Sequence, residues 1–264
     1  MKRSSGARLC ATAAIGALSL SLLTACSADG SKDTDSKTSA SASAPADASS
    51  SAPAAKALTK AELEKLLLAQ GELKGYKVAS GDDTLPASKS LVKTDKPACD
   101  PLAWATAALA PGDTDSSVGN TVTEDKTAAA ATTPADLEDM FNMDMTFVGL
   151  SSYAGDDAEK AMKAVSDGVT ACAGGYGLTA DSEKTKVTKV APAKGSGKGD
   201  ETVAFTEDVD INGQGAAATF HAEVVRKGNT VATFYTVNFA GFEKGGDMGA
   251  VPAAVIDAQV AKLK

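Results

Sequence analysis

The residues flanking Gly228-Asn229 constrain this chain more than any other stretch. Ala217 to Arg226 and Thr230 to Phe239 are both rich in β-branched and aromatic residues, and Gly-Asn between two such runs is a two-residue hairpin turn. Pairing the runs across that turn places Phe220, Ala222, Val224, Val231, Tyr235 and Val237 on one side, the expected core side. His221, Glu223, Phe234, Thr236 and Asn238 fall on the other.

The rest of the carboxyl-terminal half extends this pattern. Val187 to Ala191 and Thr202 to Thr206 read as further strands, and Pro252 opens a terminal helix with Val255, Ile256 and Val260 facing inward. Earlier in the chain the helix signals dominate. Thr59 with Glu62 predicts a capping box, Leu58 staples against Leu63, and Leu63, Leu66 and Leu67 form the apolar stripe before Gly71. Residues 75 to 98 are polar and turn-rich. Asp100 is expected to cap a short helix that begins with Pro101 and carries Leu102, Trp104 and Leu109. Ser117 to Thr123 and Met143 to Tyr153 read as strands, with a turn of helix between them at Thr133-Pro134-Ala135-Asp136. Asp156 and Glu159 suggest a second capping box, leading a helix whose Ala158, Ala161, Met162, Val165 and Val169 recur at helical spacing up to Cys172. The expected class is α+β: an antiparallel sheet with helices packed on one face, in a single domain over residues 58–264.

The amino terminus carries an address. Lys2, Arg3 and Arg8 precede an apolar run through Ile15, Leu18, Leu20, Leu22 and Leu23, the layout of a secretory signal peptide and too short to span a bilayer. Leu23-Thr24-Ala25-Cys26 resembles the lipobox of bacterial lipoproteins. That resemblance implies cleavage after Ala25, a diacylglyceryl thioether on Cys26 and an acylated new amino terminus, so that two anchoring signals hold the protein on the extracytoplasmic face of the cell membrane. Residues 26–57 are Ser, Ala, Asp, Thr and Lys with almost no large apolar side chain, a disordered tether spanning roughly 30 Å as a coil.

Loss of residues 1–25 removes three basic residues and no acidic ones, taking the formal charge from -8 to -11. Such a chain repels phosphate backbones, which excludes nucleic acid as a partner class. With Cys10 removed and Cys26 lipidated, Cys99 and Cys172 remain as an even pair in an oxidising compartment, and a disulfide between them is expected. A reactive thiol pair is the rival reading, but no Cys-x-x-Cys spacing is present.

The Leu-rich first helix, the Cys99-Asp100-Pro101 segment, the strand and helix ending in Cys172, the Val224-Val225-Arg226-Lys227-Gly228-Asn229-Thr230-Val231 hairpin and the closing apolar helix together resemble the PknH-type extracellular sensor domain. The resemblance implies an antiparallel sheet and helices that form a cleft suggested to bind an unidentified ligand. Domains of this family occur outside receptor-type serine/threonine kinases and as stand-alone lipoproteins. The sensor domain of the kinase in that family carries two disulfides where this chain can form one.

Motifs with specific chemistry are few. Asp208-Val209-Asp210-Ile211-Asn212-Gly213 matches the first half of an EF-hand loop, but the twelfth position is Thr219 and strands flank it, so a hairpin turn explains it better. Lys194 to Gly199 has the glycines of a phosphate loop, but Pro192 and Gly199 stand where a Walker A motif needs Gly and Ser or Thr, leaving a flexible surface loop. The lone histidine, His221, excludes multi-histidine metal sites, and no Gly-x-Ser-x-Gly elbow supplies a serine for it. Adjacent acids at Asp82-Asp83 and Asp156-Asp157 belong to turns and caps. No catalytic or metal residue and no cofactor is therefore assigned; His221, Glu223, Thr236 and Asn238 are the candidate ligand-facing residues. The expected role is sensor-like binding of a small ligand or an envelope protein, without enzymatic activity; a cell-envelope hydrolase or transferase is the alternative. Changing Cys26 to Ser should release the protein into the soluble secreted fraction, and membrane retention after that change would overturn the anchor.

Overall fold

A computed structural model describes residues 56–80, 85–126, 142–211, 213, 217–238, 240–241 and 245–264. The leader, Cys26, the tether as far as residue 55, Asp82-Asp83 and the Thr133 to Asp136 turn lie outside the described residues.

The hairpin about Gly228-Asn229 is the spine. β8 (Ala217–Lys227) and β9 (Thr230–Asn238) pair antiparallel from Lys227↔Thr230 to His221↔Thr236. Gly228 takes a φ of 57° and Asn229 stays outside that region, the pattern of a II′ turn, which glycine enters without strain. β4 (Asp144–Ser152) joins the other side of β9, followed by β3 (Ser117–Glu124) and β1 (Tyr76–Ser80). On the β8 side come β7 (Glu201–Asp210), β6 (Glu183–Ala193), β5 (Tyr176–Ala180) and β2 (Val92–Thr94). The described strands form one sheet of order β1-β3-β4-β9-β8-β7-β6-β5-β2, antiparallel throughout except for the two-residue β10 (Gly246–Asp247), which pairs parallel with β8.

The α+β class and the antiparallel sheet are as expected, but the four described helices divide between the two faces of the sheet. α2 (Asp100–Thr106) and α3 (Asp157–Ala171) cover the face of Phe220, Ala222, Val224 and Val231. α1 (Lys60–Leu66) and α4 (Ala253–Ala261) cover the opposite face, burying Val225, Ala232 and Phe234 with Val148 and Leu150. The physical reason is in β9: seven of its nine residues are buried, so neither side can be left to water. The side holding His221, Glu223 and Thr236 is thus a second core face.

Local signals fared unevenly. Thr59 and Glu62 do form a capping box, with Glu62 N–H donating to Thr59 Oγ1 at 3.3 Å and Thr59 N–H to Glu62 Oε2 at 2.8 Å. Asp156 sits at the N-cap of α3 but its carboxylate pairs with Lys160 at 2.8 Å, and no side chain caps the helix. Asp100 is the first residue of α2, preceded by a 3₁₀ turn at Pro97–Cys99, and its Oδ1 accepts from Thr94 Oγ1 at 2.6 Å. Residues 75 to 98 hold two short strands, β1 and β2, that their polar composition conceals. Buried Gln259 on α4 takes the place of an α1 cap: its Oε1 accepts from Leu68 N–H at 3.0 Å and its Nε2 donates to Leu66 C=O at 2.7 Å.

Cys99 precedes α2 and Cys172 follows α3, and the structure joins them with Cα atoms 5.9 Å apart. Their covalent link closes a 73-residue separation, for which the chain-entropy relation gives about 4 kcal/mol of stabilisation. Non-reducing peptide mapping is expected to recover the Cys99 and Cys172 peptides joined, and replacing both residues by Ala should lower unfolding stability by about that amount. Free thiols in protein taken from the cell surface would overturn the pairing.

Candidate functional site

Where the helices stop short of the amino-terminal edge of the sheet, two clefts open, one on each face. On the α2 face a cleft of about 580 Å³ is bounded by Leu85 to Ala87, Leu91, the turn Ala107-Ala108-Leu109, the Ser117 to Thr121 segment of β3 and the tip residue Asp181. On the α1 face a second, of about 630 Å³, is bounded by Glu64, Leu67 to Gln70, Val78 and Ser80 of β1, and Val118 and Gly119.

The walls of the first cleft are held in an unusual conformation. Three described non-glycine residues have positive φ, and two of them, Ala108 (54°) and Asp181 (47°), line it. Ala108 lies flat against the sheet because Gly149 is opposite: a Cβ there would stand 2.4 Å from the Ala108 carbonyl oxygen and 2.6 Å from Thr233 Oγ1. Asp181 and Ser182, both left-handed, form the two-residue turn between β5 and β6, and Asp181 N–H donates to Leu91 C=O at 3.1 Å. This pins the hairpin tip to the cleft's outer wall. Lys89 crosses behind that wall, its Nζ 4.2 Å from the Trp104 ring centroid and 2.6 Å from Gly112 C=O. Leu91 is 41 % exposed, a large apolar side chain facing water at the rim.

The four candidates from the sequence share one face but turn their polar atoms to partners inside the protein. Glu223, 5 % exposed, accepts from Ser196 N–H at 3.1 Å and from Ser196 Oγ. The Lys194 to Gly199 loop is therefore anchored on an internal carboxylate, and Lys198 reaches Asp257 of α4 at 3.0 Å. Thr236 Oγ1 lies 2.9 Å from Thr146 Oγ1, and Asn238 Nδ2 donates to Asp144 Oδ1 at 2.7 Å and Asn142 Oδ1 at 2.9 Å. His221 Nε2 is 2.8 Å from Asp247 Oδ1. Asp208 Oδ1 accepts from Thr219 Oγ1 at 2.7 Å along paired strands, and among the described residues no group of three or more His, Cys, Asp or Glu could hold a metal ion.

Sequence reasoning missed Glu207. It stands on β7 between Phe205 and Val209, all three inward-facing and buried, so the signal was an acid interrupting an apolar alternation. Burial pushes its carboxyl up to about 7, partly opposed by the Tyr176 hydroxyl, which donates to Oε1 at 2.6 Å. Burial, and then the charge of Glu207, push the Tyr176 and Tyr235 phenols well above their ordinary value. A raised carboxyl suits a general acid, but Glu207 is 3 % exposed and borders neither cleft, so its consequence is for stability.

No protein-family model matches the chain, and no curated protein matches it. Among solved structures, the extracellular domain of PknH from Mycobacterium tuberculosis is similar at 16 % identity with a TM-score of 0.47, covering 78 % of this chain and 95 % of that one.

Because the folded carboxyl holds its proton to higher pH than an unfolded one, Glu207 favours the folded state at low pH. That contribution is lost as pH rises from about 4.5 to about 7. Glu207→Gln should therefore flatten this part of the stability profile, with wild type losing on the order of 3 kcal/mol more than the variant between pH 5 and 8. Parallel urea titrations at the two pH values measure it; equal losses would overturn the assignment.

Proposed function

We propose that this chain is a sensor-like binding lipoprotein of the extracytoplasmic membrane surface, anchored at Cys26, that recognises a ligand or partner at the clefts beside β3 and performs no chemistry on it. The observation that carries this reading is the composition of the cleft on the α2 face. It combines an apolar wall, a strand floor and a single carboxylate, Asp181, which is the make-up of a recognition site. Hydrolysis or group transfer would need converging titratable groups, and Glu207, the acid with the most strongly raised carboxyl among those described, is buried away from both clefts. The strained Ala108 wall supports the same site, since left-handed non-glycine residues persist where surrounding structure holds them for use. The signal-peptide layout and the Leu-Thr-Ala-Cys segment support the location, and no described helix is long and apolar enough to cross a membrane.

Native mass spectrometry of the gently purified secreted protein tests the reading. The expected result is an added mass lost on denaturation, and lost also from a Leu109→Arg variant that fills the α2-face cleft with charge. An added mass retained by that variant would place binding elsewhere, and crosslinking that captures no partner together with no added mass would overturn a binding role at this site.

A further inference from the structure

Five of the backbone donors that border the α2-face cleft are spent inside the protein. Leu91 N–H donates to Ser88 C=O and Asp181 N–H to Leu91 C=O, each at 3.1 Å. In the turn that follows α2, Ala107 and Leu109 both donate to Trp104 C=O, at 3.1 and 2.9 Å, and Ala108 donates to Ala105 C=O at 3.2 Å. Pro86, also on the wall, has no N–H. The Asn120 amide serves the other face of the sheet, its Nδ2 donating to Leu68 C=O at 2.7 Å. What the wall keeps is acceptors: the exposed Asp181 carboxylate, and an Ala107 carbonyl that accepts no hydrogen bond from the described residues. No Lys, Arg or His is among the described residues bordering the cleft. Lys89, the one basic residue between Leu85 and Leu91, turns its ammonium to Gly112 C=O and the Trp104 ring instead.

We infer that this cleft selects an ammonium group carried on an apolar body, the chemistry of a lipophilic primary amine. Resting on the binding role proposed above, this names the class of ligand. Leu85, Ala107, Ala108 and Leu109, partly buried against the core, receive the apolar body and supply most of the affinity. An ammonium has donors and no acceptor, so the Asp181 carboxylate and the Ala107 carbonyl complement it. A carboxylate or phosphate in its place would stand beside Asp181 with the neighbouring N–H groups already committed, and an anion taken out of water without donors is costly. A neutral hydroxyl keeps the apolar contacts but loses the charge pairing. The bond from Asp181 N–H to Leu91 C=O fixes the hairpin tip that carries the selecting carboxylate.

The test titrates the full chain with octylamine, octanol and octanoate, which share a tail and differ in head, at neutral pH, where the amine is protonated. Ligand-observed NMR gives the affinities. Octylammonium is expected to bind saturably, octanol several-fold more weakly and octanoate weakest of the three. Asp181→Asn, which keeps a residue tolerant of the left-handed turn, should weaken octylammonium about threefold to fivefold and leave octanol unchanged. The preference for the amine over octanol should also shrink in high salt. Leu109→Arg should abolish binding of the amine, and amine binding that survives this change would overturn the cleft as its site. Octanol binding as tightly as octylammonium, or Asp181→Asn weakening both alike, would overturn selection of a cation and leave the binding role standing. No binding of any of the three would overturn the ligand class, and the added mass sought in native spectra then decides the binding role separately.

Discussion

The structure depends on a sheet whose central strands leave no face for water. β4, β9 and β8 carry buried residues at consecutive positions, Thr146 to Ser152, Thr230 to Phe234 and Ala222 to Val225, so side chains pointing either way must be covered. Four helices do this, and three of them are short, of seven, seven and nine residues. Helices of that length cover the middle of a nine-strand path and leave its margins open. The clefts beside β3 are where the cover runs out. They follow from the width of the sheet and the brevity of α1 and α2.

Two ties keep those short helices in place. Cys99 and Cys172 link the start of α2 to the end of α3, so the longest helix holds one of the shortest. On the other face Gln259 satisfies the end of α1 through both its amide atoms, and Lys262 adds a bond to Leu67 C=O at 2.7 Å. Helices of about seven residues have little stability of their own. Their ends therefore define the cleft walls only because another element fixes them.

The elements that could be read from the sequence were those whose signal is local. Gly228-Asn229 names its turn, Thr59 and Glu62 name their cap, and the Ala158 to Val169 stripe names its helix, because each depends on residues within a few positions. β1, β2 and β5 were concealed because short strands at and next to the sheet's margins are specified by their neighbours: Tyr76, Lys77 and Val78 mean little until β3 lies beside them. The burial of Phe234 was hidden for a related reason, since two-faced burial depends on helices more than a hundred residues away in α1. Asp181-Ser182 carried a turn signal weaker than Asn-Gly, and Glu207 was visible only as a break in Phe205 and Val209's alternation. The cleft was not legible at all, being built from loop, turn and strand segments spread from Leu85 to Asp181.

The Lys194 to Gly199 loop shows how a motif can keep its geometry and change its ligand. A serine in this glycine-rich loop does donate to an anion, but the anion is Glu223 of the same chain, held by Ser196 through its N–H and its hydroxyl. With Ser196 held on Glu223 and Lys198 paired with Asp257, the loop fastens the sheet to α4. The same accounting holds for the face that Glu223 shares with Thr236 and Asn238. Glu223, Thr236 and Asn238 have spent their polar groups on Ser196, Thr146, Asp144 and Asn142. At the α2-face cleft the wall depends on what is missing: Ala108 keeps its left-handed turn against the sheet because no side chain at Gly149 stands in its way.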